Sequence, residues 1–291
     1  FETFILKKYL TKYKVFNNKY DYLFNSYYQS LGEILPRTNR GILSRPSCEK
    51  IGKYRKYINE NIDELIKNAP EKDLNTINEL IILGVNHEQQ HQELLLMDIL
   101  NAFYNNPLKP KYRKVFKNKT SVLNKLSWVS IPGGIVEIGI NSKNHNNFAF
   151  DNEGPSHHVL IEPFQIANRP ITNAEWLEFM NDDGYNRPDL WLSDGWEKVK
   201  ENNWLAPLYW SKDQNNSWNS FTLYGLSPIE LNSPVSHLSF YEANAYANWC
   251  GKRLPSEYEW EIASKFSKKD GNLHNDNVLT PLILTNNNAL T

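Results

Sequence analysis

The run Asn86-His87-Glu88-Gln89-Gln90-His91-Gln92-Glu93-Leu94-Leu95-Leu96-Met97-Asp98 has no proline or glycine and continues a helical pattern set by Ile77, Leu80, Ile81 and Gly84. Residues four apart stack on one helix face, so His87 and His91 can direct ring nitrogens at one point. Paired neutral imidazoles are a transition-metal signal. The same letters spell H-E-x-x-H and leave three readings open: a zinc peptidase helix with Glu88 as general base, part of a non-haem iron site, or a hydrogen-bonded histidine pair in a polar groove. A metzincin-type extension needs glycine at position 94 and histidine at 97, where Leu94 and Met97 stand.

The helix must belong to a globular protein. The 291 residues are 40% hydrophobic and 13% aromatic, enough for cores in two domains. A net charge of -1, with both signs interspersed, gives no basic face for nucleic acid and no polybasic face for a membrane. No apolar run approaches the roughly 20 residues that cross a bilayer, and no signal-peptide pattern opens the chain, so a cytoplasmic location is expected. Cys48 and Cys250 are far apart in sequence, which argues against a disulfide framework and a cysteine-rich metal site.

Residues 1–105 read as helical. A helix runs through 1–10, and 20–30 is an aromatic-rich loop or short helix. A basic connector follows with Arg37, Arg40 and Arg45, then a helix capped by Ser47 with Ile51, Tyr54, Ile58, Ile62 and Leu65 at three- and four-residue spacing. Asp73 is expected to cap the His87/His91 helix, which should end near Asn105, before Pro107 and Pro110. Short connections suggest an antiparallel bundle with polar ligands facing its interior. Residues 106–126 are a lysine-rich linker. From 127 to 291 an α+β domain is expected: a strand-turn-strand pattern around Pro132-Gly133-Gly134, a strand over 157–164, and three helices opened by capping boxes at Thr172/Glu175, Ser239/Glu242 and Ser256/Glu259.

Several motifs in this second part carry a family resemblance. Trp128-Val129-Ser130-Ile131-Pro132-Gly133-Gly134, Phe148-Ala149-Phe150-Asp151-Asn152-Glu153-Gly154-Pro155, Pro170-Ile171-Thr172-Asn173-Ala174-Glu175-Trp176 and Gly251-Lys252-Arg253-Leu254-Pro255-Ser256-Glu257 resemble the formylglycine-generating-enzyme-like domain, a C-type-lectin-like α+β fold. Joined to a DinB-like helical bundle bearing H-x-x-Q-H, that domain is similar to the sulfoxide synthases of ergothioneine biosynthesis. Phe24-Asn25-Ser26-Tyr27-Tyr28 and Arg40-Gly41-Ile42-Leu43-Ser44-Arg45-Pro46 also match.

The resemblance implies a two-domain α+β protein, with the DinB-like bundle over 1–105 and the lectin-like domain over 127–291. It implies Fe(2+) as cofactor, held by three histidines, two of which match His87 and His91. The third is expected upstream of Phe1, because the family's third histidine lies in a segment ending in a string within which this chain opens. The family's G-x-V-W-E-W and R-G-G-S segments are likewise expected beyond residue 291, so the chain reads as a fragment. The implied partners are small molecules: N-α-trimethylhistidine, a cysteine-type thiol and dioxygen. Gln90 matches the glutamine that hydrogen-bonds the substrate imidazole.

Tyr27 and Tyr28 are adjacent, and a phenol at either could pass a proton or electron during sulfoxidation; packing in an aromatic core is the alternative for each. Arg37, Arg40 or Arg45 could clamp a substrate carboxylate, and Arg37 and Arg40 are taken as the candidates. Glu88 and Glu93 are expected to support the site or face solvent. His145, His157, His158 and His237 match no ligand spacing, and Cys250 is expected to be structural. An ovothiol-type synthase acting on histidine, a selenium-using relative and a catalytically degenerate binding module are the remaining alternatives.

Overall fold

The computed structural model describes residues 1–25, 32–41, 43–114, 124–141, 148–267, 272 and 278–282. The chain divides into two compact units, one built on Phe1–Glu93 with a short stretch ending at Phe150, the other on Leu94–His145 and Asp151–Thr291.

The first unit is helical. A π-helical turn, Glu2–Leu6, runs into α1 (Lys7–Tyr9), followed by α2 (Tyr20–Phe24) and α3 (Arg37–Arg40). Two long helices dominate, α4 (Cys48–Asn68) and α5 (Glu71–Asn105). Ser47 caps α4 by accepting from the Lys50 N–H, as the sequence predicts. Asp73 does not cap α5. The helix already begins at Glu71 after Pro70, and the Asp73 N–H donates to the Pro70 carbonyl at 2.9 Å inside the first turn. Proline suits that position because its missing N–H has no intrahelical acceptor there.

Ala69 and Pro70 join α4 to α5 so tightly that the two must run antiparallel. The side chains agree, since Leu65 and Ile77 share one core near the turn while Arg55 reaches Glu88 about three helical turns further along. Ile5, Leu6 and Ile58 complete that core. Beside it lies Glu2, a buried carboxylate that accepts from the hydroxyls of Tyr13 and Tyr54 and the Phe16 N–H. Such a group is tolerated in a core only because it is hydrogen-bonded.

The second unit mixes short strands and helices. Strand β1 (Trp128–Ile131) pairs antiparallel with β4 (Phe164–Ala167), and β2 (Gly134–Ile138) with β3 (His157–Ile161). The two strands beside Pro132-Gly133-Gly134 thus exist, but they take different partners and form no hairpin. The strand expected over 157–164 divides at Glu162 and Pro163, where proline cannot donate to a ladder. Gly133 is required by a close approach: a Cβ there would lie 2.4 Å from the Ile161 carbonyl oxygen.

A third sheet has the order β5 (Trp210–Lys212), β6 (Trp218–Thr222), β7 (Gly225–Pro228). The helices are α6 (Asn173–Asn181), α7 (Ser193–Asn202), α8 (Phe240–Trp249) and α9 (Glu257–Ser264). All three expected capping boxes form, at Thr172, Ser239 and Ser256. Trp176 and Phe179 on α6, Val199 on α7 and Tyr246 on α8 build the main core, while Ile131, Ile138, Ile161 and Ile262 join both two-stranded sheets to α9. Among the described residues no helix is long and apolar enough to cross a membrane.

Candidate metal centre

The side chains of His87 and His91 meet on α5. Their ring centroids are 4.6 Å apart and the planes stand at 86°, an edge-to-face arrangement set by the one-turn spacing. His87 is half-buried and His91 exposed, so the pair lies at the surface of the first unit rather than sealed inside it. Burial lowers the pKa of His87, and the charges of His91 and of the Phe1 α-amino group push the same way, against Glu88. At neutral pH this ring is an unprotonated donor, the form that binds a metal.

One turn before His87, Gly84 admits the Phe1 ring; a Cβ at position 84 would lie 2.8 Å from the ring's Cζ. Glu88 is held from the opposite helix. Arg55 on α4 donates through Nη1 and Nη2 to Glu88 Oε1 and Oε2 at 2.5 and 2.7 Å, and its Nε donates to Asn59 Oδ1 at 3.1 Å. Sequence reasoning missed Arg55 and Asn59. They belong to a different helix, and the separation of 33 positions between Arg55 and Glu88 leaves no local spacing to read.

Gln90 lies three residues after His87 and one before His91 and is exposed. Arg37 opens α3, whose side chain there is outside the described residues, and Tyr27 and Tyr28 are outside them altogether. Arg40 at the end of α3 folds its guanidinium back, donating through Nε and Nη2 to the Leu35 carbonyl at 3.3 and 3.2 Å. The structure therefore brings the His87 and His91 rings together on α5, with Gln90 exposed on the same helix.

Two imidazole nitrogen donors one turn apart fit a borderline transition ion such as iron(II), zinc or cobalt(II). Among the described residues no group of three histidine, cysteine, aspartate or glutamate side chains is positioned to hold a metal.

In the second unit, a cavity of about 660 Å³ is walled by Phe164 and Ile166 on β4 and Tyr246 on α8. Cys250 lines it, and burial pushes its thiol pKa up despite a hydrogen bond with Tyr246. A protonated thiol is a poor nucleophile.

The sulfatase-modifying factor enzyme 1-like domain family matches residues 112–282. The chain is 37% identical over 182 residues to a hercynine oxygenase of Mycolicibacterium smegmatis, covering 62% of this chain and 40% of that protein. It is 34% identical over 188 residues to a hercynine oxygenase of Mycolicibacterium thermoresistibile, covering 64% and 40%. An inactive C-alpha-formylglycine-generating enzyme 2 of Bos taurus is 32% identical over 152 residues, covering 48% and 49%. The matched part spans about 40% of the length of the two hercynine oxygenases. With these motifs and this fold, the chain belongs to the sulfatase-modifying factor enzyme 1-like family and is similar over part of its length to hercynine oxygenases.

Proposed function

We propose that this chain is part of a mononuclear non-haem iron enzyme of ergothioneine biosynthesis. The enzyme uses dioxygen to join the sulfur of cysteine or γ-glutamylcysteine to the imidazole of N-α-trimethylhistidine, giving a sulfoxide. The carrying observation is the His87–His91 pair, two imidazoles edge to face at the surface of α5, in a chain similar to hercynine oxygenases. The DinB-like character of the first unit belongs to the same reading, as does action in the cytoplasm on small molecules rather than on nucleic acid or membranes.

Iron(II) bound there would supply coordination for the thiolate and the redox chemistry for dioxygen. The residues of this chain do the rest. His87 and His91 donate nitrogen lone pairs, and the lowered pKa of His87 keeps its ring available at neutral pH. The exposed Gln90 amide hydrogen-bonds the imidazole of the acceptor substrate and so fixes which ring carbon faces the sulfur. Tyr27 or Tyr28 moves a proton at its phenol oxygen, and Arg37 or Arg40 pairs with a substrate carboxylate. The reaction balances without another reductant. A thiol, an imidazole C–H and dioxygen give a C–S(O) product and one water, both lost hydrogens leaving in that water.

Anaerobic loading with iron(II) tests the site. Wild-type protein is expected to retain iron through desalting, whereas His87→Ala and His91→Ala should each weaken binding at least tenfold or so. Equal iron content in all three would contradict the assignment. Competition between histidine and N-α-trimethylhistidine separates this reading from an ovothiol-type synthase. The similarity to a relative named inactive favours one second reading, a binding module that keeps the fold without turnover. Iron retention combined with no dioxygen uptake in the presence of both substrates would select it.

A further inference from the structure

We propose that Arg55 is a positioning residue that withholds Glu88 from the His87–His91 pair, so that a metal held there receives imidazole but no carboxylate from α5. The inference rests on the pair being metal ligands, as proposed above. An H-E-x-x-H helix always places a carboxylate beside its two imidazoles. Left free, that carboxylate can act as an anionic ligand or as the base that activates a metal-bound water. Both outcomes suit hydrolysis, and both consume a position or a proton that thiol and dioxygen chemistry needs.

The geometry around Glu88 removes its freedom. Arg55 engages both carboxylate oxygens in a fork at 2.5 and 2.7 Å, the bidentate arrangement that a guanidinium makes and an ammonium cannot. The third edge of the guanidinium is used as well, since Nε donates to Asn59 one turn further along α4 at 3.1 Å. Asn59 therefore orients Arg55, Arg55 orients Glu88, and the tight α4–α5 turn fixes their register. Stability does not account for the pair. Its side chains are 54% and 35% exposed, and an ion pair so open to solvent contributes little to folding. What the fork sets is the direction in which the Glu88 carboxylate faces.

Co2+ titration tests this on wild type, Arg55→Met, Glu88→Gln and the double variant Arg55→Met/Glu88→Gln. The readouts are Kd and the visible ligand-field bands, with helical content and Tm as fold controls. Arg55→Met keeps the apolar stem and releases the carboxylate. It should tighten Co2+ on the order of tenfold and shift the bands, and the double variant should return to the behaviour of Glu88→Gln.

Bands and Kd unchanged in Arg55→Met, or a gain that survives in the double variant, would overturn the proposal. If Arg55→Met loses helical content, Arg55→Lys replaces it: the charge stays but the fork is lost, so a smaller shift of the same sign is expected, and no shift overturns the role. Equal Co2+ binding by wild type and His87→Ala/His91→Ala would remove the metal site itself and this proposal with it. An unchanged Arg55→Met with the histidine dependence intact would remove only the role of Arg55.

Discussion

Glu2 shows what single residues must satisfy here. It is 5% exposed, and its partners Tyr13, Phe16 and Tyr54 lie 11, 14 and 52 residues along the chain. Burial and the neighbouring carboxylate raise the Tyr54 pKa, so its hydroxyl stays a donor throughout the physiological range. Tyr54→Phe should destabilise the first unit by about 1–3 kcal/mol, because it strips a donor from a buried charge. Chemical denaturation measures this, and an unchanged midpoint would show that Glu2 does not need Tyr54.

Nothing in the sequence marks Glu2, since its partners are set by packing rather than spacing. His87 and His91 were legible because a helix converts a four-residue interval into a spatial contact. Arg55 was not, for the same reason as Glu2.

At the scale of elements, local chemistry was readable and pairing was not. Each capping box needs only four consecutive residues, and all three formed. Pairing of β1 with β4 joins Trp128 to Ala167, and no turn residue encodes so long a connection.

The Ser256 cap also carries a pH dependence. Glu259 accepts from Arg253 and from the Ser256 N–H, and the Arg253 guanidinium holds its pKa at about 2, below the ordinary 4.5. A depressed carboxyl pKa stabilises the fold fully above about 4.5, and that contribution is lost as pH falls towards about 2. Wild type should therefore lose Tm more steeply than Glu259→Gln over that interval, while at pH 7 the variant costs about 1 kcal/mol. Parallel acid melts of the two proteins would refute it. Gly133→Ala is a steric test in the same unit. A methyl group 2.4 Å from the Ile161 carbonyl oxygen must displace backbone, and the expected cost is about 1–3 kcal/mol in thermal or chemical unfolding.

At the scale of the whole molecule, two compact units carry different parts of the argument. The second identifies the family through its motifs and its match over residues 112–282. The first holds the histidine pair from which the chemistry is read. The helical and α+β halves were legible from periodicity and turn residues. The two compact units share one helix, since α5 runs unbroken from Glu71 to Asn105 and its residues from Leu94 onward belong to the second unit. Leu100 shows why, since it packs with Tyr209, Phe221 and Leu223, more than a hundred residues away.

The most direct test of the proposed activity uses the full-length protein loaded anaerobically with iron(II). N-α-trimethylhistidine and either cysteine or γ-glutamylcysteine are added, the mixture is exposed to dioxygen, and the products are weighed by mass spectrometry. The predicted product has the summed mass of both substrates plus dioxygen less one water, and it disappears in His87→Ala. Recovery of unchanged trimethylhistidine with only the disulfide of the thiol would contradict the reading.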